Sequence, residues 1–469
     1  MKIQFCGAAR HVTGSAHLIT LDNGFKILLD CGLYQGHDRE MKDFNENWFF
    51  KPAEIDCLIL SHAHIDHTGR VPKLVKDGFR GPVHSTHATR SLSAIMLLDS
   101  AFIQEKDAEW HNKKQLKKHG KSAQLMEPLY TERDVHQAMK LFECHAYDTW
   151  VRIHPDVDIQ FRDAGHILGS ASVALRIREH GAEKLIGFSG DIGRPNRPIL
   201  RDPQPMPEVD FLICESTYGD KEHEGAPAES SRFLEIIKRT VVEKKGKLII
   251  PAFSVGRTQE IVYLLDQMET AGVLPKKVPV YVDSPLAVNA TTVFGTHPEC
   301  YDNELHKYLL MDDNPFGFNE LTYIRDVEVS KSLNDTNEPC IIISSSGMMN
   351  AGRVRHHLYN SIEHPKNTLL IVGYCAPNTP GGMLRNGVKT LKLFGEEKVV
   401  RMDIEVMDSF SAHADRTELY DFMKNQKDRV QKVFLVHGEI DRMTRFREYL
   451  APKGFGNVVA PTLGETVRI

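Results

Sequence analysis

The chain has 469 residues, 41% hydrophobic and 26% charged, with a formal net charge of −5, which is length enough for two or three domains with cores of their own. No apolar run approaches a bilayer span, and Met1-Lys2-Ile3-Gln4-Phe5-Cys6-Gly7 reads as a first strand entering a turn, so neither a membrane protein nor a secretory leader is expected. The eight cysteines are scattered without a C-x-x-C pair, which predicts free thiols and a cytoplasmic protein; the acidic balance excludes a generally basic surface but not a local basic groove.

Residues 1–60 alternate short apolar runs with turns: 3–5, 16–19, 25–29 and 57–60 are predicted to be successive strands. Asp30 closes the third run, where it serves either as a turn former or as a carboxylate partner for an imidazole. The fourth run leads directly into Ser61-His62-Ala63-His64-Ile65-Asp66-His67. Three imidazoles and a carboxylate at a strand end need partners, and neutral histidine with aspartate suits zinc. His62 and His64 project to the same side of an extended backbone, whereas Asp66 and His67 follow the turn and can face a second ion.

From residue 89 to 146 the pattern is helical and charged, with Ala94, Ile95, Leu97, Leu98, Ala101 and Phe102 on one face. The run Lys113-Lys114-Gln115-Leu116-Lys117-Lys118-His119-Gly120-Lys121 reads as a solvated helix face, and His84 and His87 as structural. Strand signals return at 159–161, 184–189 and 210–215, and each leads to a candidate ligand or nearby polar group: His166, Asp191 and Glu215.

Residues 218–408 alternate helical segments (230–245, 256–270) with apolar runs (247–250, 278–282, 340–343, 368–372), which predicts a parallel-sheet α/β domain. The turn Ser344-Ser345-Ser346-Gly347-Met348 precedes a helix start near Arg353, a backbone arrangement suited to anions. Between 340 and 401 eight basic residues stand against three acidic ones, a local excess that would oppose a polyanion. The tail adds His413 within 409–415 and His437 at the end of a strand over 432–436. The predicted organisation is therefore one domain over 1–217 and 409–469, interrupted by an inserted domain over 218–408.

With these residues assembled, the chain resembles the metallo-β-lactamase superfamily and, within it, the β-CASP ribonucleases. The resemblance rests on His62-x-His64-x-Asp66-His67, His166, Asp191, Glu215, His413 and His437, with supporting runs such as Asp283-Ser284-Pro285 and Val255-Gly256-Arg257-Thr258-Gln259-Glu260. It implies an αββα sandwich carrying an inserted α/β domain. It also implies two zinc ions per chain: His62, His64 and His166 on one, Asp66, His67 and His437 on the other, and Asp191 between them. Asp30 would orient a ligand, Glu215 would hold His413, and Asp66 is counted with these three among the catalytic residues.

The implied activity is hydrolysis of RNA phosphodiester bonds by a two-metal-activated hydroxide, endonucleolytic or from the 5′ end, in RNA processing or decay. Single-stranded RNA is the expected partner, with no membrane and with a homodimer allowed. Ser344, Ser345, Ser346, Gly347, Arg353 and Arg257 are expected to meet its phosphates. One departure stands out: 378–382 reads Asn-Thr-Pro-Gly-Gly where the family often carries an arginine, leaving Arg385 as the substitute. The alternatives are a hydrolase of small thioesters or lactones, and a catalytically silent RNA-binding paralogue.

Overall fold

The computed structural model describes residues 1–36, 41, 43–223, 230–373, 375–376, 378–407 and 411–469. The expected domain boundary at Asp408 and Ser409, with Phe410 beside it, lies outside the described residues. The chain forms two compact units. The first comprises Met1–Pro195, Asp202–Glu222 and His413–Ile469, and the second Asn196–Arg201 and His223–Ala412. The short segment Asn196–Arg201 goes with the second unit because Leu200 bridges to Tyr301 and Asp302 N–H donates to Ile199 O at 2.8 Å.

The first unit holds two seven-stranded sheets. Strands Lys2–Phe5, His17–Thr20, Lys26–Leu29, Cys57–Ile59 and Val83–Thr86 lie side by side in one. Strands Val157–Asp163, Ala171–Glu179, Ala182–Phe188, Phe211–Glu215 and Lys432–Val436 lie side by side in the other. Period-two alternation sorts their side chains onto opposite faces. Ile3, Phe5, Ile27, Leu29 and Ile59 meet Phe161, Val173, Phe188, Ile213 and Phe434 in one core, with the Phe5 and Phe434 ring centroids 5.1 Å apart. The alternate residues face outward onto helices. Leu28, Leu58 and Leu60 pack with Val71 and Leu74 on one side, and Leu212, Cys214 and Leu435 with Leu419, Phe422 and Phe446 on the other. Helix, sheet, sheet, helix is the expected sandwich.

The helical expectation for 89–146 needs two corrections. Residues Phe142–His145 form an edge strand paired with Val83–Thr86. On the 33-residue helix His87–His119, Leu97 and Ala101 pack against Tyr130 and Val135, but Phe102 is exposed because it lies about 100° around the helix from Ala101, off the packed stripe that stays buried as far as Ala108. No helix among the described residues is long and apolar enough to cross a membrane. All eight cysteines are free thiols.

The second unit is built on a six-stranded sheet with every pairing parallel. Its central strands Lys247–Pro251, Cys340–Ser344 and Thr368–Ile371 are buried throughout, as parallel strands covered on both faces must be.

Candidate metal centre

Strand Cys57–Ile59 ends at the turn that carries His62 and His64, and the short helix Ile65–Thr68 presents Asp66 and His67. His166 comes from the loop after Val157–Asp163, Asp191 from the turn after Ala182–Phe188, and His437 from the end of Lys432–Val436. All these strand ends open on one edge of the sandwich. The turns are tightly constrained: a Cβ on Gly32 would lie 1.6 Å from Asp66 O, and one on Gly190, at φ 55°, 2.6 Å from Ser61 Cβ. Asp30 and His437 themselves hold positive φ, 57° and 52°.

Three overlapping groups of donor atoms converge here: His62, His64, His166 and Asp191 in the first, Asp66, His67 and His437 in the second, and Asp191, Glu215 and His437 in the third. In the first, His64 Nδ1 lies 3.0 Å from His62 Nε2 and 3.2 Å from His166 Nε2. In the second, His67 Nε2 and His437 Nε2 are 3.2 Å apart, and Asp66 Oδ2 is 3.4 Å from His437 Nε2. Asp191 Oδ2 stands between them, 3.6 Å from His62 Nε2 and His166 Nε2 and 3.3 Å from His67 Nε2. Zinc–nitrogen bonds of ~2.0–2.1 Å at tetrahedral angles put neighbouring donors about 3.3 Å apart, so these spacings fit divalent metal.

The charge state argues the same way. Burial pushes His64 down to about 4 and His62 well below the ordinary histidine value, leaving both as neutral donors. Burial opposes charge on His67 too, but Asp191, Asp30 and Asp66 outweigh it and hold that imidazole well above the usual range. Burial would likewise raise Asp191, yet His437, His67 and His62 keep it ionised, well below the usual carboxylate value. Converging carboxylates demand a cation in this pocket, and a proton on His67 supplies it where no metal does.

Asp30 is the anchor beneath. Its Oδ2 accepts from His67 Nδ1 at 2.6 Å and from the hydroxyls of Ser61 and Ser15 at 3.0 and 3.1 Å, while Oδ1 accepts from Ser61 N–H at 2.8 Å. This leaves Nε2 of His67 aimed at the metal position. Ser61, Ser15 and Thr217, whose hydroxyl lies 3.0 Å from His437 Nδ1, were not among the expected site residues. In the sequence Ser61 stands beside His62 and Thr217 two residues after Glu215, whereas Ser15 is far from both.

Glu215 is fully buried, and its Oε1 accepts from Ile192 N–H at 2.6 Å and lies 3.5 Å from His413 Nδ1. The His413 imidazole is 22% exposed and His64 is likewise part-exposed, where His62 and His166 are closed. Burial opposes its charge, but Glu215 outweighs that and raises the imidazole above its ordinary value.

The expected phosphate contacts lie in the second unit and are already engaged within it. Arg353 donates to Asp283 Oδ1 and to Arg325 O, both at 2.6 Å, and Arg257 pairs with Glu260. Ser344 and Ser345 donate to Asp283 O and Ser284 Oγ at 2.8 and 3.0 Å. Gly347 lies against the Phe253 ring, and Arg385 ends the helix Pro380–Arg385.

Comparison with known proteins agrees with this architecture. Residues 10–218 match the metallo-β-lactamase superfamily model, 258–384 the β-CASP domain, and 397–461 a Zn-dependent metallo-hydrolase RNA specificity domain. The chain is 34% identical over 454 residues to Ribonuclease TTHA0252 of Thermus thermophilus, covering 97% of each. It is 32% identical to the transcription termination factor FttA of Methanosarcina mazei, over 94% of this chain and 67% of that one. A crystal structure of a protein of unknown function from Enterococcus faecalis shares the fold, with a TM-score of 0.54 at 12% identity and 99% coverage of both chains.

Proposed function

The chain belongs to the β-CASP ribonuclease family of the metallo-β-lactamase superfamily, and from that premise we propose that it binds two zinc ions and hydrolyses phosphodiester bonds of single-stranded RNA. The observation that carries this is the gathering of His62, His64 and His166 in one donor group and Asp66, His67 and His437 in another, with Asp191 Oδ2 within 3.6 Å of His62, His166 and His67. When bound, the ions supply Lewis acidity and lower the pKa of a water for attack at phosphorus.

The protein's own part is positioning and proton transfer. Asp30 fixes the tautomer and direction of His67, and Thr217 does the same for His437. Glu215 holds Nδ1 of His413, so proton delivery to the leaving 3′ oxygen falls to Nε2. The raised His413 pKa keeps that proton available near neutral pH, help worth ~10²–10⁴-fold. The match of residues 397–461, which contain both His413 and His437, to an RNA specificity domain supports RNA over a small ester. Cleavage leaves 5′-phosphate and 3′-hydroxyl ends. The free thiols suit a reducing cytoplasm.

The test joins metal analysis to a time course on end-labelled RNA. Two zinc ions per active chain and cleavage of RNA are expected. One ion or none in active protein would overturn the two-metal reading, and hydrolysis of a thioester or lactone with RNA untouched would overturn the substrate.

A further inference from the structure

The helix His87–His119 begins beside the metal centre, where Thr86 and Thr89 hydroxyls donate to Gly169 O at 2.7 and 2.8 Å, three residues past His166. Its buried residues stop at Ala108. Beyond that the helix projects, and the returning chain is clamped to it by two hydrogen bonds between Asn112 and Met126. Phe102, Lys106, Trp110, Lys113 and Lys117 recur at spacings of four, four, three and four, so they share one face. Trp110 is 65% exposed and Phe102 51%. Each ring carries a lysine ammonium, Lys106 at 5.7 Å from Phe102 and Lys114 at 5.1 Å from Trp110. From Trp110 to Met126 there are five lysines and no acidic residue, in a chain of net charge −5. Among the described residues none of those five forms an ion pair.

A solvated helix face explains the lysines but not a tryptophan left in water. An interfacial membrane helix would segregate its apolar residues from its lysines, whereas here they share an arc. A second copy of the same face would bring like charges together. Aromatic rings interleaved with cations match one ligand chemistry, a single strand whose bases stack while its phosphates meet ammonium groups. We propose that this projecting arm is an auxiliary binding site for single-stranded RNA. It lies about 35 Å along the helix from its first turn, so only a substrate long enough to reach both is held by arm and metal centre together.

The inference rests on the RNA reading above and is tested separately from it. Full-length protein, with metal chelated to stop cleavage, is titrated with labelled single-stranded RNA of about 20 and about 5 nucleotides. Trp110→Ala is expected to weaken the longer RNA about tenfold and the shorter by less than about twofold, whereas Trp110→Phe keeps the affinity because a ring remains. Lys113→Ala with Lys117→Ala should lower the salt slope for the longer RNA by about two. Unchanged binding of the longer RNA in Trp110→Ala overturns the arm alone. So does a variant that changes only the oligomeric state in sedimentation, which would assign the face to a second copy. Failure of the zinc-loaded wild-type chain to bind or cut either RNA overturns the RNA reading itself.

Discussion

His413 and Asp30 have separable tasks. His413 belongs to none of the converging donor groups, and its Nδ1 lies 3.5 Å from Glu215 Oε1. His413→Ala is therefore expected to keep its metal while turnover falls at least ~10²-fold, checked by metal analysis beside single-turnover kinetics. Loss of zinc in that variant would make His413 a ligand. His67 gives the pH prediction. Its pKa in the metal-free fold is raised, so its contribution to apoprotein stability is fully present below about pH 6.5 and fades as pH climbs through the raised value. The same proton must leave before Nε2 can bind metal. The melting temperature of chelated protein should thus decline as pH rises above about 6.5 while zinc affinity rises, with proton release visible on adding zinc to weakly buffered apoprotein. A flat affinity profile would mean that His67 is already neutral.

Elements set where these residues stand. The turn after Ala182–Phe188 passes so close to Ser61 that Gly190→Ala must displace either Asp191 or the turn holding Asp30. Weakened metal binding is expected, with the secondary structure seen by circular dichroism unchanged; full occupancy in that variant would show that the turn can yield. In the second unit, burial would raise Asp283, but His357, Ser330 and Arg353 outweigh it and keep the carboxylate ionised. Removing the guanidinium in Arg353→Ala should cost ~1–3 kcal/mol, read as a lower denaturation midpoint. A reduced salt slope of RNA binding at unchanged stability would instead assign Arg353 to phosphate.

For the molecule as a whole, the prediction concerns substrate class. Single-stranded RNA should be cut faster than an RNA hairpin or DNA of the same sequence, in a time course at matched low salt with zinc present. The negative net charge makes any grip on phosphates local and salt-sensitive. Equal rates on RNA and DNA would widen the substrate to nucleic acid generally. Chelation should also lower the melting temperature, since metal that binds only the folded centre stabilises it by mass action.

Local chemistry was legible in the chain itself. Three histidines and an aspartate in one turn announce a metal whatever surrounds them, and short apolar runs announce strands, so a sheet in the first domain and the parallel inserted sheet could be read directly, whereas the sandwich came from the family resemblance. Residues whose meaning depends on long-range approach could be assigned only through the family resemblance, not from the local pattern. Asp30 was open between turn former and imidazole partner until the fold brought it to His67, 37 positions away, and His437 meets His67 across 370 positions. Arg353, in a basic stretch, and Arg257, in a run shared with the family, look like phosphate contacts, yet buried carboxylates pair with both. Phe102 belongs to an apolar helical face by spacing and is exposed because it stands to one side of the stripe, Leu97, Ala101 and Ala108, that the neighbouring elements cover. Periodicity records which side of an element is apolar; only the tertiary structure decides whether anything lies against it, because burial is a property of neighbours distant in the chain.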